Sequence, residues 1–346
     1  MLEVYRLKDS NKWDEIVKTF KDYDVYYLSS YTKAFYLHGD GEPLLFYYCD
    51  EAIKAINVVM KRDVSKDEHF VNKLEENKYF DFATPYGYGG WLVEGDGSLS
   101  NLISEYSNWC KENNIISEVI RFHPVLANQG KVREYYDVMD LGKTISIDLT
   151  DEEEIWNNFS SKNRNVIRKA IKNNVVIKKG INKDLLETFR NVYNQTMNRD
   201  NAENYYYFKQ DFYDSILYDL QNNAEVYYAE YDNKVIASSI ILKAGNKLSY
   251  HLSGSLKEYG SLAASNLLLY EVSKWGSQNG YKTFHLGGGV GSKEDNLYSF
   301  KKAFYKGDGY QYSIGRMIFD EERYNELVKI RKGEEMRNNF FPLYRA

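Results

Sequence analysis

The sequence predicts an α/β protein made of two similar domains in tandem, and three observations carry that expectation. The chain has 346 residues, beyond the size at which a single hydrophobic core usually stops growing. A strand–turn–strand pattern occurs twice, as LFYYCDEAIKAINVVMK (45–61) and YYAEYDNKVIASSIILK (227–243). At one constant offset Asp50 lies over Asp232, Ile53 over Val235, Ala55 over Ala237 and Lys61 over Lys243. Each copy reads as a β-hairpin with a polar two-residue turn and a β-branched second arm. The third observation is a helix-to-strand pattern, NLISEYSNWCKENNIISEVIRF (101–122) and SNLLLYEVSKWGSQNGYKTFHL (265–286).

In those helices Leu102, Tyr106 and Trp109 repeat the i, i+4, i+7 spacing of Leu268, Val272 and Trp275, a buried stripe. Both stop at Asn-Asn or Asn-Gly, suited to a left-handed C-cap, and both run into a strand. Between the copies, a strand ends near ISIDLTDEEEIWNNF (145–159), and Thr150 or Asp151 is placed to N-cap a helix with an acidic first turn. The expected division is therefore 1–150 and 151–320, with 321–346 a mostly helical, charged tail.

Bulk composition narrows the function. A net charge of −5 excludes coating nucleic acid through global positive charge, while leaving local basic patches open. Two cysteines, Cys49 and Cys110, support neither a disulfide framework nor a cysteine metal site, and the five histidines have no metal-ligand spacing, so no metal is expected. The start, MLEVYRLKDSNKWDEI, lacks the apolar core of a signal peptide, and no apolar run is long enough to span a membrane. A cytoplasmic protein without a membrane span is the expectation.

The glycine run in FHLGGGVGSKEDNLYSFKKAF (284–304) fails the nucleotide-loop templates, because Ser292 and Glu294 stand where glycines or a Gly-Lys-Ser/Thr junction are needed. Its glycines read as positions of close backbone approach, to a ligand or to a neighbouring strand. Beyond them Phe300 and Phe304 sit at i, i+4 and pack inward, with Lys301 expected at the rim. FSSKNRNVIRKAIKNNVVIKKG (159–180) contains no acid and spaces Arg164, Arg168 and Lys172 along one helix. That stripe suits phosphates of tRNA, a nucleotide-sugar or a lipid diphosphate, or is a solvated face. DFATPYGYGGW (81–91) presents Tyr86, Tyr88 and Trp91 on a turn-rich loop, as a sugar or peptide cleft lining or as a core cap. In SYHLSGSLKEYGSLAASNLLLYEVSKW (249–275), a small-residue loop opens a helix whose N–H groups favour an anion or oxyanion.

Taken in order, TPYGYGG (84–90), SKNRNVIRKAIKNN, TMNRDNAENYYYF, YHLSGS, LLLYEVSKWGSQNGYKTFHLGG and FKKAF resemble the FemABX peptidyltransferases over most of the chain. That resemblance implies two tandem GNAT-like domains, each a mixed, mostly antiparallel central sheet flanked by helices. It implies an acyltransferase moving an amino acid from aminoacyl-tRNA to an amine of a muropeptide precursor, with no tightly bound cofactor. The alternative is a CoA-dependent N-acyltransferase acting on an amino sugar or nucleotide-sugar, and a third reading is an inactive GNAT-like binding module. GNAT enzymes hold the CoA pyrophosphate on an Arg-x-x-Gly-x-Gly/Ala loop; here Glu258–Ala263 stands at that place, with one glycine and no arginine. No long coiled-coil arm fits between Ile181 and Gln221.

Carried over by position, Phe300 and Lys301 match the family's pair beside the reacting carbonyl, and Arg199 an arginine that grips the precursor's diphosphate. Tyr86 falls in the loop lining the peptide groove, and Lys33 matches a phosphate-binding lysine of the first domain. Tyr207, Tyr250, Ser253, Gly254, Arg164 and Arg168 complete the substrate-binding candidates, the backbone near Ser253–Ser255 supplying oxyanion donors. A lipid-linked acceptor implies peripheral membrane contact.

Overall fold

The computed structural model describes residues 1–331 and 340–346. Its first stretch runs β1 (Leu2–Tyr5), α1 (Ser10–Lys18), α2 (Ser29–His38), β2 (Glu42–Cys49), β3 (Ile53–Asp63), β4 (Phe80–Ala83), β5 (Leu92–Gly95), α3 (Ser100–Glu112), β6 (Ile115–Arg121) and α4 (Gln129–Val132). There follow β7 (Asp137–Asp148), α5 (Glu152–Asn158), α6 (Ser161–Lys172), β8 (Val176–Gly180), α7 (Lys183–Arg199), α8 (Gln210–Tyr218), β9 (Ala224–Tyr231) and β10 (Lys234–Ala244). The remainder is β11 (Lys247–Ser255), α9 (Ala264–Gln278), β12 (Thr283–Gly287), α10 (Asn296–Lys302), β13 (Tyr310–Ile318) and α11 (Glu321–Arg331).

The chain divides into two compact units. Unit 1 is Met1–Leu141 with Tyr312–Ala346, and unit 2 is Gly142–Gln311. The divisions differ from the expected 150 and 320 because they fall inside the continuous strands β7 and β13, which carry no composition change to mark them. Asp151 does cap α5, accepting from the Glu153 and Glu154 N–H groups, but that helix start is not the unit boundary. Of the expected helical tail, α11 is helical, the last residues form a short turn within unit 1, and 332–339 lie outside the described residues.

In unit 1 the strand order is β1-β2-β3-β4-β6-β13, with β5 added against β3. All pairs are antiparallel except β4 with β6. In unit 2 the order is β7-β12-β11-β10-β9-β8, again antiparallel except for β11 with β12. The duplication thus shows in the packing. Each unit has a hairpin (β2–β3, β9–β10) and one parallel strand pair with a helix, α3 or α9, preceding its second strand. Leu102 and Tyr106 are buried in unit 1 as Leu268 and Val272 are in unit 2, while Trp109 and Trp275 are partly buried. The helix ends turn through left-handed residues, Asn114 at φ 56 and Gly280 at φ 80.

A second core in unit 1 is closed by the chain's last residues. Tyr344 is fully buried among Val64, Phe70, Ile116, Tyr324 and Leu327. Its hydroxyl bonds Ser117 at 2.8 Å and Asp81 at 3.0 Å, and Arg345 reaches Asp67 at 2.9 Å as well as Asp81. Burial alone would raise the Asp81 carboxyl, but Arg345 and Arg62 beside it hold it below the usual range.

Candidate active site

In unit 2 the parallel strands β11 and β12 pair only over Lys247–Ser249 against Thr283–His285, yet both run on, to Ser255 and Gly287. A bulge follows at once, where Ile240 faces Leu252 but Ile241 faces Tyr250. The two strands therefore fork toward their C-terminal ends, leaving backbone groups without a ladder partner between them. Tyr250 is held at this point by Ser253 and Ser239, and burial raises its phenol.

The glycine run sits at the open end of the fork. Asp295 organises it: one carboxylate oxygen caps α10 by accepting from the Tyr298 N–H at 2.8 Å, and the other accepts from the Val290 N–H at 3.0 Å. A side chain at Gly289 would collide with Asp295 and with the Lys293 carbonyl, so glycine is required for this close approach. The loop then offers the Gly288 carbonyl to Lys301, whose Nζ donates to it at 2.6 Å.

The sequence placed Lys301 at a rim; the structure buries it, 8 % exposed, while Phe300 next to it is only partly buried. The reason is that α10 spans only seven residues, and Gly288 supplies a backbone acceptor inside. Burial pushes the Lys301 ammonium down to about 8, with Asp295 pulling weakly the other way. An ammonium retaining two further N–H donors in a dry setting is suited to stabilising a developing oxyanion.

Other candidates fall into groups. At the end of β11, Arg199 donates to the Ser255 carbonyl at 2.8 Å and to Asp200 at 3.1 Å. Thr196, missed in the sequence, accepts from the Ser255 N–H at 2.9 Å and so pins β11 to α7. The open position of Gly254 is filled by α7: an added Cβ would lie 2.7 Å from Tyr193 Cα, so the missing side chain serves packing. Tyr207 donates to Asn198 at 2.8 Å on an exposed turn.

On α6, Arg164 is turned to the carbonyls of Trp156, Asn157 and Phe159, closing the end of α5 instead of facing outward with the stripe. Arg168 lies over the Trp156 ring at 5.2 Å. The Glu258 loop that stands where a CoA pyrophosphate grip would be carries a carboxylate paired with Lys234 at 3.4 Å.

Unit 1 holds the remaining two candidates. Tyr86 stacks on Phe35 with centroids 5.3 Å apart, and its carbonyl accepts from Tyr31. Lys33 is half-buried on the same helix as Phe35, α2. Arg121, not foreseen, braces the Tyr86 loop through the Thr84 and Pro85 carbonyls. Of the two readings open for Trp91, cleft lining or core cap, the second holds: it is fully buried with its indole N–H donated to Tyr136 at 3.0 Å, because the loop's last residues enter the core. That tyrosine donates to Glu118 at 2.7 Å, a fully buried carboxyl with no cationic partner among the described residues, which burial raises to about 7 against the pull of Tyr136, Asn57 and Tyr106. A lone acid in the apolar run IISEVIRF was its signal in the sequence.

Known proteins share sequence and fold with this chain. Residues 161–320 match the family model for an acetyltransferase (GNAT) domain. Over 226 residues the chain is 26% identical to a UDP-N-acetylmuramoylpentapeptide-lysine N(6)-alanyltransferase of Weissella viridescens, a match covering 60% of this chain and 65% of that relative. The chain thus spans a little under two thirds of the length of that curated relative. A FemX crystal structure superposes with a TM-score of 0.68 at 15% identity, over 94% of this chain and 99% of that one. The L-PGS of Bacillus licheniformis gives 0.58 at 16% identity, over 93% and 96%. At such identities the structural likeness establishes the fold.

Proposed function

We propose that the chain is a FemABX-type tandem GNAT-like protein and that it transfers an amino acid from aminoacyl-tRNA to an amine of a peptidoglycan precursor, a reading supported by its GNAT family match and its likeness to the Weissella alanyltransferase. The observation carrying the proposal is Lys301, a buried ammonium tied to the loop at the open end of the β11–β12 fork. The acceptor amine attacks the carbonyl carbon of the aminoacyl ester, and the carbonyl oxygen becomes an oxyanion facing Lys301. The intermediate collapses, the C–O bond to the ribose breaks, and the proton lost by the amine passes to that leaving oxygen. Phe300 borders the reacting carbonyl. Arg199, Tyr207, Tyr250, Ser253 and the Gly254 backbone in unit 2, and Tyr86 and Lys33 in unit 1, are the proposed substrate contacts. The donor is a co-substrate and no tightly held cofactor takes part.

Among the described residues no helix is long and apolar enough to cross a membrane. The proposed setting is the cytoplasm, with peripheral contact through a lipid-linked acceptor. The CoA-dependent alternative is disfavoured by the Glu258 carboxylate, which repels a pyrophosphate at that loop. The deciding experiment supplies labelled aminoacyl-tRNA or labelled acetyl-CoA together with muropeptide and nucleotide-sugar acceptors. Nuclease-sensitive transfer to a muropeptide is expected, with kcat falling as pH rises through about 8 and Lys301 loses its proton. Transfer from acetyl-CoA alone refutes the reading.

A further inference from the structure

The basic helix α6 takes no part in the chemistry above. Between Glu154 and Asp184 the chain has no acidic residue, although its net charge is −5. Of the cations there, Arg164 is committed to the end of α5, and Lys178 and Lys179 are paired with Glu230 and Glu225. Lys162, Lys169 and Lys172 are exposed and make no hydrogen bond or ion pair among the described residues. Their spacing of seven and three residues puts them on one helix face, spread over about 15 Å.

The start of this face is fixed against the helix that carries Lys301. The Ser160 N–H donates to the Ala303 carbonyl at 2.9 Å, Asn163 donates to the same oxygen at 3.3 Å, and the Phe159 and Phe304 rings lie 5.0 Å apart. Beside that junction opens a cavity of about 600 Å³, whose lining includes Ser160, Lys143, Ser299 and Lys302 as well as Glu294 and Asp308. A row of free cations therefore leads to a cavity on the flank of α10.

We infer that the Lys162–Lys169–Lys172 face docks the phosphate backbone of an RNA whose 3′ end enters this cavity. The inference rests on the aminoacyl-RNA reading above and adds the surface that holds the RNA. A bilayer fits the face poorly, since Ile167 and Ala170 of α6 are buried in the core of unit 2 and Ile171 alone is an exposed large apolar residue of the helix, too little to insert. A short row of lysines in an otherwise acidic protein attracts a polyanion in one place and one orientation.

The test titrates labelled deacylated tRNA against wild type and the variant Lys162→Gln/Lys169→Gln/Lys172→Gln at several salt concentrations, with equal melting temperatures as the control for folding. Binding weakened by roughly tenfold or more, with a salt slope shallower by about one per lysine removed, is the expected result. Equal affinity and slope overturn the inference. So does loss of binding to phosphatidylglycerol vesicles with RNA binding intact, which reassigns the face to a membrane. A wild type that binds tRNA through these lysines yet transfers no amino acid upholds the docking surface and sinks the donor reading. A wild type that does transfer, with the variant's KM for aminoacyl-tRNA unchanged, does the reverse.

Discussion

Lys301→Met exchanges a buried ammonium for an apolar side chain of similar length, and stability and turnover should then move in opposite directions. Lowering this lysine from 10.5 to about 8 means the folded state disfavours its charged form by roughly 3 kcal/mol. The folded protein releases that proton near pH 8, whereas the unfolded chain keeps it to about 10.5. Across this window the unfolded state binds more protons, so the contribution of Lys301 to stability rises with pH. Below about 8 the burial cost is present in full, and it fades toward 10.5. Methionine removes that cost but leaves the Gly288 carbonyl without its donor, which costs about 1 kcal/mol. The variant should be the more stable protein by about 2 kcal/mol at pH 7, its advantage shrinking as pH rises above 8. Turnover should fall by about 10²–10³, the usual effect of losing an oxyanion donor. Denaturant unfolding of both proteins at pH 7, 8 and 9.5, beside single-turnover transfer, measures both quantities. A variant less stable at pH 7, or one retaining turnover within a few-fold, refutes the argument.

Two further outcomes test the scaffold. Glu118 is raised from 4.5 to about 7, so the folded state holds its proton longer than the unfolded chain and stability falls as pH rises through that interval. Glu118→Gln should flatten this decline, seen as convergent unfolding curves at pH 4.5 and divergent ones at pH 8. Gly254→Ala places a methyl 2.7 Å from the α7 backbone and should destabilise by roughly 2 kcal/mol or more, read from the unfolding midpoint; an unchanged midpoint contradicts the packing role.

What could be read in the sequence followed from periodicity. The hairpins, α3, α9 and the strands after them repeat a pattern that burial later explains residue by residue, from Leu102 to Val272. What could not be read depends on contacts between distant segments. The Phe300–Phe304 stripe says nothing about a carbonyl thirteen residues upstream, so by itself it leaves Lys301 at the rim. Arg164 looked like part of a stripe because the carbonyls it covers belong to another helix. Trp91 sat in a glycine-rich string whose composition resembles a cleft loop, and only its bond to Tyr136 shows it enters the core. The four-residue β4 is too short to announce its parallel pairing with β6.

Unit 2 is inserted between two segments of unit 1, and the second of those segments includes Tyr344 and Arg345. On the ribosome this separates the order of synthesis from the order of completion. Residues 142–311 are contiguous, so their core can close as soon as they emerge. The first 141 residues are made earlier but lack β13, α11 and the Tyr344 plug until residues 312–346 have been made as well. The half of the protein translated first is thus the half that finishes last, and it spends that interval with the Val64–Phe70–Ile116 surface uncovered and exposed to chaperones.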